Sequence, residues 1–215
     1  EIRTPLTLIN GPLENILLKK TVDPEIREDL NIMKQNTERL LSLTNQLLDF
    51  RKTESQGFRL NFAECNVTEV LKETYNRFTS LARQRELDFV LNVAEQDFYA
   101  HVNKEAFTKI VSNLLNNAVK YAETYVHVFL EMNGIGEKRM FYIRTVNDGV
   151  IIPNEMKEEI FKPFVRFNEK EDGKVTTGTG IGLALSRSLA ELHQGSLMML
   201  EGEEANVFCL SLPVE

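Results

Sequence analysis

Residues 2–47 carry two narrow apolar seams, and a stripe that narrow is buried only by packing helix against helix. Ile2, Leu6, Ile9, Leu13 and Ile16 follow one another at steps of four, three, four and three, the spacing of a heptad repeat. Lys19-Lys-Thr-Val-Asp-Pro24 interrupts it, with Asp23 placed to cap a helix and Pro24 suited to its first position. A second helix is expected over about residues 25–52, with Ile26, Leu30, Met33, Thr37, Leu40, Thr44 and Leu47 as its seam. Two such helices on a short connection predict a helical hairpin, and a hairpin alone leaves one seam face uncovered. A second copy would complete a four-helix bundle, so a homodimer through residues 1–52 is expected; the alternative is a hairpin lying on the domain that follows. If the first helix starts before residue 1, Pro5 falls inside it and removes one backbone hydrogen bond there.

Residues 53–57, Thr-Glu-Ser-Gln-Gly, read as a linker, and the pattern then changes. Residues 58–67 alternate as a half-buried strand, and a helix opened by Asn66 or Thr68 runs to about Arg85. Strands are expected near 87–93, 97–102, 124–133, 138–147, 196–201 and 206–213, with helices over 104–121 and 180–193. Asn133-Gly-Ile-Gly136 reads as a hairpin turn. Strands grouped apart from helices predict an α+β domain over 58–215, one mixed sheet with helices on one face. A length of 215 residues suits two small domains or one large one, and 42% hydrophobic content suits a real core. The net charge of −7 argues against a nucleic-acid footprint, which needs a clustered basic face. Cys65 and Cys209, without metal-binding spacing, read as reduced, buried thiols of a cytoplasmic protein. No apolar run is long enough to span a membrane, so any membrane attachment would come from segments outside these residues.

Chemistry concentrates at three places. In Asn113-Leu-Leu-Asn-Asn117-Ala-Val-Lys120-Tyr121, the residues Asn113, Asn117, Lys120 and Tyr121 share one flank of a helix whose other face is apolar. Asparagine is a mediocre helix former, so amides at this density cost stability unless they find partners. Thr176-Thr-Gly178-Thr-Gly180-Ile-Gly182-Leu precedes an apolar helix, where free N–H groups and the helix dipole favour an anion; the plainer reading is a flexible hinge. Between them, over about 149–178, runs a long irregular stretch. Its Phe161-Lys-Pro-Phe164-Val-Arg166-Phe167 would pin a lid on closing and leave Arg166 available to a phosphate.

In this order the pieces resemble the sensor histidine kinases of two-component signalling, from the first residue to the last. Glu1-Ile-Arg-Thr4-Pro-Leu6 is similar to the segment after that family's phosphoacceptor histidine, residues 113–121 to its Asn box, 147–153 to its first Gly box, 161–167 to its Phe box and 178–183 to its second Gly box. The resemblance implies a dimerisation and phosphotransfer hairpin over 1–52, joined to a two-layer α/β sandwich of the histidine kinase, gyrase and chaperone ATPase type. It implies ATP and Mg²⁺ as ligands, with Asn117 on the metal and Asn113, Lys120, Tyr121, Asn147, Asp148, Gly149, Ile152, Phe164, Thr177, Gly178, Thr179, Gly180, Ile181, Gly182 and Leu183 around the nucleotide. Glu1 would orient the imidazole or accept its proton, Thr4 would position water for dephosphorylation, and Arg166 would act on the phosphates.

The resemblance also implies a phosphoacceptor immediately before Glu1, so the chain opens inside the pattern and reads as a piece of a longer protein. That protein would be an inner-membrane sensor with this portion in the cytoplasm. The phosphoryl group would pass on to a receiver domain, on a separate response regulator or on the same chain of a hybrid kinase. His101, His127 and His193 read as structural. The first Gly box departs from the family: Asn147 stands at the adenine-reading aspartate, Asp148 at the neighbouring asparagine and Ile151 at the second glycine. Asn147 can still accept from the adenine amine, and Asp148 is an alternative reader. Two other functions are consistent with the residues: a non-catalytic dimeric scaffold or phosphatase, and a conformational ATPase. The second is disfavoured because asparagine at 113 is a poor base for activating water.

Overall fold

The computed structural model describes residues 3–18, 23–55, 59–94, 96–133, 139–167, 178–202 and 204–215, with residues 3–5 described by their backbone. The chain divides into two compact units, Glu1–Lys52 and Thr53–Glu215. The first is a pair of helices, α1 (Arg3–Leu17) and α2 (Pro24–Glu54). Asp23 Oδ1 accepts from the Glu25 N–H at 2.9 Å, the expected cap, and α2 continues into the expected linker as far as Glu54. Arg27 donates to the Leu17 carbonyl at 2.9 Å and closes the end of α1, while Lys34 pairs with Glu14 at 3.4 Å. Pro12, inside α1, leaves the Leu8 carbonyl without its helical donor.

The α2 seam divides into two rows, each repeating every seven residues. Leu30, Thr37 and Thr44 are buried or half-buried, whereas Ile26, Met33, Leu40 and Leu47 are exposed. On α1, Leu13 is buried and Ile9 and Ile16 are exposed. No helix among the described residues is long and apolar enough to cross a membrane.

The second unit runs β1 (Ala63–Asn66), α3 (Val67–Gln84), β2 (Asp88–Asn92), β3 (Tyr99–Val102), α4 (Lys104–Tyr121), β4 (Tyr125–Asn133) and β5 (Met140–Asn147). Two 3-10 turns, Asn154–Met156 and Glu159–Phe161, then lead to α5 (Gly182–Leu192), β6 (Ser196–Leu200) and β7 (Asn206–Pro213). Instead of one sheet, the strands form a five-stranded sheet in the order β2-β4-β5-β7-β6 and a separate pair, β1-β3. β2 runs parallel to β4 and the other pairs are antiparallel. β3 stays apart because its bonds go elsewhere: it pairs with β1, and His101 N–H donates to the Val214 carbonyl at 2.9 Å. The expected strand over 58–67 is four residues, Ala63–Asn66, closed at its end by Val67, which starts α3. The expected hairpin turn falls largely on 134–138, outside the described residues.

β5 alternates strictly and β7 does so apart from the buried Cys209, placing Phe141, Ile143, Leu210 and Leu212 against the helices. Phe107 of α4 meets Phe141 edge-on at 5.9 Å. Helix ends are satisfied by specific side chains. Asn66 Oδ1 accepts from Glu69 N–H and Asn103 Oδ1 from Ala106 N–H, capping α3 and α4. At the far end of α4, Arg85 donates to the Val119 and Ala122 carbonyls.

His193 is buried, with Nδ1 2.7 Å from the Leu189 carbonyl and Nε2 accepting the Asn103 N–H at 3.1 Å. Burial holds its pKa down, so the neutral ring is a structural link. His127 pairs with Asp88 at 3.1 Å, and His101 is exposed on β3. Both cysteines are free thiols, pushed up by burial. Phe141→Ala should lower the stability of this unit by about 3–5 kcal/mol, the usual cost of emptying a closed aromatic site, as read by urea denaturation.

Candidate functional site

The site grows from α4. Phe107, Ile110, Val111, Leu114, Leu115 and Ala118 form its buried stripe, which leaves Asn113, Asn117 and Lys120 half-buried at its edge and Tyr121 exposed. Asn113 Nδ2 donates to Ser186 Oγ of α5 at 3.0 Å, and a Cβ on Gly182 would collide with the Asn113 amide. The helix cost of Asn113 is thus offset by a contact that seats the start of α5. Asn117 makes no side-chain hydrogen bond among the described residues, so its amide is open to a ligand. Lys120 Nζ donates to Tyr121 Oη at 2.9 Å and lies 4.5 Å from the ring centroid. A Cβ on Gly178 would stand 3.4 Å from that ammonium. Two motifs about sixty residues apart in sequence therefore share one corner.

The glycine motif is held in place by the Phe segment. Phe164 N–H donates to the Gly180 carbonyl at 2.8 Å, and the two residues have φ of +66° and +69°. Gly180 tolerates that conformation, and its backbone approaches Phe164 so closely that a Cβ would lie 2.8 Å away. Thr179 Oγ1 accepts the Ile181 N–H at 3.2 Å, Ile181 is buried and Leu183 half-buried. α5 begins at Gly182 with no side-chain cap, so its first-turn N–H groups and dipole are available to an anion.

The three phenylalanines do not act together as the sequence suggests. Phe161 is core, under the Arg187 guanidinium at 3.6 Å and edge-on to Phe208 at 6.3 Å, whereas Phe164 is exposed and Phe167 half-buried. Arg187 also binds Glu158 at 2.7 Å and the Leu197 carbonyl at 3.0 Å, which ties part of the stretch read as irregular to α5 and β6. Arg166 is half-buried in the segment that follows. Thr177 and Glu1 lie outside the described residues, and Thr4 is placed on α1, in the other unit.

The third side is the end of β5. Asn147 is buried and faces Asn206 of β7 in register. Asn206 Oδ1 accepts the Ile152 N–H at 3.0 Å, and its Nδ2 donates to the Gly149 and Val150 carbonyls at 3.3 and 3.0 Å. Sequence reading missed Asn206, although an asparagine on the inward parity of Phe208, Leu210 and Leu212 was a visible signal. Gly149 is forced by contact, since a Cβ there would collide with the Tyr121 carbonyl.

Asp148 has a different task from the base reading considered for it. Its carboxylate accepts from the N–H groups of Glu123, Thr124 and Tyr125 and from the Thr124 hydroxyl, fastening the turn after α4. Burial raises its pKa, but these bonds outweigh burial and bring it down to about 2. Both carboxylate oxygens are thus engaged in holding residues 123–125.

A depression of about 560 Å³ among Glu131, Tyr142, Arg144, Met198 and Cys209 uses none of these residues. Among the described residues no three His, Cys, Asp or Glu side chains gather to cage a metal, so an ion at Asn117 would take most of its ligands from phosphate and water. Asp148→Ala should cost about 2 kcal/mol at neutral pH. The folded value lies below the ordinary 3.8, so the unfolded chain takes the proton first: this stabilisation is whole above 3.8 and lost as pH falls towards 2. Urea unfolding of both proteins in neutral and acid buffer should show the gap closing in acid.

Residues 102–215 match the family model described as histidine kinase-, DNA gyrase B- and HSP90-like ATPase, and residues 1–56 match the His Kinase A (phospho-acceptor) domain. Histidine kinase P4 of Formosa agariphila is 31% identical over 217 residues, covering 100% of this chain, while the chain spans 16% of that relative. The crystal structure of full-length ShkA in complex with AMPPNP superposes with a TM-score of 0.81 at 23% identity, covering 99% of this chain and 43% of ShkA. That of histidine kinase ThkA in complex with the response regulator TrrA gives 0.68 at 24%, covering 100% of this chain and 59% of the other.

Proposed function

The chain belongs to the histidine kinase-, DNA gyrase B- and HSP90-like ATPase family, with a His Kinase A domain ahead of the ATPase domain, and from that premise we propose that it is the core of a sensor protein-histidine kinase. Residues 58–215 would bind Mg-ATP. The γ-phosphoryl group would pass to the histidine that precedes Glu1 in the family pattern, and then to an aspartate of a response-regulator receiver domain. What carries this function is the convergence of Asn113 with Gly182 and Ser186, and of Lys120 with Gly178, which sets the amide face of α4 beside the uncapped start of α5.

Asn117 fits Mg²⁺ because its open amide supplies one hard oxygen, suited to an ion that keeps phosphate and water in most positions. Bound Mg²⁺ neutralises charge on the phosphate oxygens. Lys120 and the first N–H groups of α5 would hold the phosphates, with Gly178, Thr179, Gly180 and Arg166 closing over them and Tyr121 packing on the nucleoside. Asn147, held opposite Asn206, would meet the base. Glu1 would orient the imidazole or take its proton while the other nitrogen attacks the γ-phosphorus. The bond to the β,γ-bridging oxygen breaks and ADP leaves. Thr4, one turn beyond the acceptor, would position water for dephosphorylation, which releases inorganic phosphate. ShkA was crystallised with AMPPNP and ThkA with a response regulator, which supports a nucleotide here and a receiver as acceptor.

The exposed row Ile26, Met33, Leu40 and Leu47 supports a homodimer through residues 1–52, since a seven-residue apolar repeat left open on a helix pair suits a second copy. This core would lie on the cytoplasmic side of a membrane-anchored sensor. Calorimetric titration with AMPPNP should show Mg²⁺-dependent binding that Asn117→Ala weakens at least about tenfold. No binding at millimolar nucleotide in the folded protein would instead favour a non-catalytic scaffold. In sedimentation equilibrium, Met33→Glu with Leu40→Glu should convert the dimer to monomer, because both place charge in the apolar row.

A further inference from the structure

We propose that this site accepts 6-oxo purine nucleotides as well as ATP, because the two buried polar groups at its base end, Asn147 and Thr145, have no fixed hydrogen-bonding polarity. The proposal rests on the nucleotide reading above, in which residue 147 meets the exocyclic group at purine position 6. Inward residues of β5 run Phe141, Ile143, Thr145, Asn147; the first two are apolar core, and the last two are polar at 1% and 3% exposure. Thr145 Oγ1 and Asn147 Nδ2 are buried without a hydrogen-bond partner among the described residues. Such atoms are costly in a folded interior unless something arrives to pair with them.

The protein has no ready partner to offer. The adjacent carbonyls of Gly149 and Val150 already accept from Asn206. The carboxylate of Asp148 is engaged by the turn at residues 123–125 and supplies no fixed acceptor to the base. A Cβ on Gly149 would lie 3.1 Å from Asn147 Nδ2 and would collide with the Tyr121 carbonyl, so glycine keeps any side chain off the amide. An incoming ring edge is therefore what completes both groups.

A carboxylate at position 147 would be an acceptor alone: it would take a hydrogen bond from the 6-amine of adenine and repel the 6-carbonyl of guanine or hypoxanthine. An amide is both. A half-turn about its Cβ–Cγ bond exchanges acceptor for donor, and the Thr145 hydroxyl rotates as readily. The two side chains can therefore pair with a 6-amine in one setting and a 6-carbonyl in the other.

The test is calorimetry of the whole chain with Mg²⁺ and non-hydrolysable ATP and GTP analogues, with inosine triphosphate to remove the guanine 2-amine. Dissociation constants for the three should agree within about tenfold. In Asn147→Asp, the GTP analogue and inosine triphosphate should weaken at least about thirtyfold relative to the ATP analogue. Binding of the ATP analogue with more than hundredfold rejection of both 6-oxo nucleotides by the unaltered chain would overturn this proposal and leave the ATP reading intact. Failure of all three to bind would overturn the nucleotide site itself, and this proposal with it. If Asn147→Asp does not fold, the ratio in the unaltered chain decides alone.

Discussion

Everything in the second unit takes its position from the burial of one stripe of α4. Phe107, Ile110, Leu114 and Leu115 are removed from water almost completely, and each such side chain contributes about 1.5–3 kcal/mol of transfer free energy. That burial fixes the rotation of the helix about its axis, and with the rotation fixed, Asn113, Asn117 and Lys120 can stand only at the rim. The polar face is thus aimed by its apolar opposite. Asn113 then carries the placement onward to α5 through Ser186 and Gly182, so one buried stripe sets two walls of the site.

The third wall depends on polar contacts rather than apolar area. β5 ends beside the last turn of α4, and the chain must leave it without crowding the Tyr121 carbonyl, which Gly149 alone of common residues permits. Asp148 pulls the turn after α4 onto this strand end, and Asn206 fixes the outgoing loop by three bonds. Buried amides in register on neighbouring strands are expensive unless satisfied. Asn206 is bonded at both ends of its amide and braces the loop, whereas Asn147 keeps an unpaired Nδ2.

In the helical unit the same economy of apolar surface divides a single seam in two. Thr37 is buried and its hydroxyl bonds back to the Met33 carbonyl at 2.9 Å, whereas Met33 itself is exposed. A two-helix unit cannot cover two rows at once. The row left open is the one with the larger apolar side chains, which is where association with a second copy gains most.

Much of the fold was legible in the residues because local rules agree with the tertiary outcome. Asp23 and Pro24 start α2, Asn66 caps α3, the alternation of 206–213 is a strand, and the stripe of α4 is helical whatever it packs on. Less legible were features that need two distant segments at once. The sequence cannot show that Phe161 is clamped by Arg187 while Phe164 faces solvent, because the same residue type serves both and the choice lies with a neighbour. Nor does spacing show that Asp148 spends its carboxylate on residues 123–125 or that Asn206 lies across from Asn147, since both follow from strand register. What the sequence determined by itself is the periodicity of each segment, the motifs and their order, and so the two units and the kind of site. What only tertiary structure decided is which polar groups are consumed in holding the loops and which stay unpaired, because the partner of a hydrogen bond is chosen by position in space.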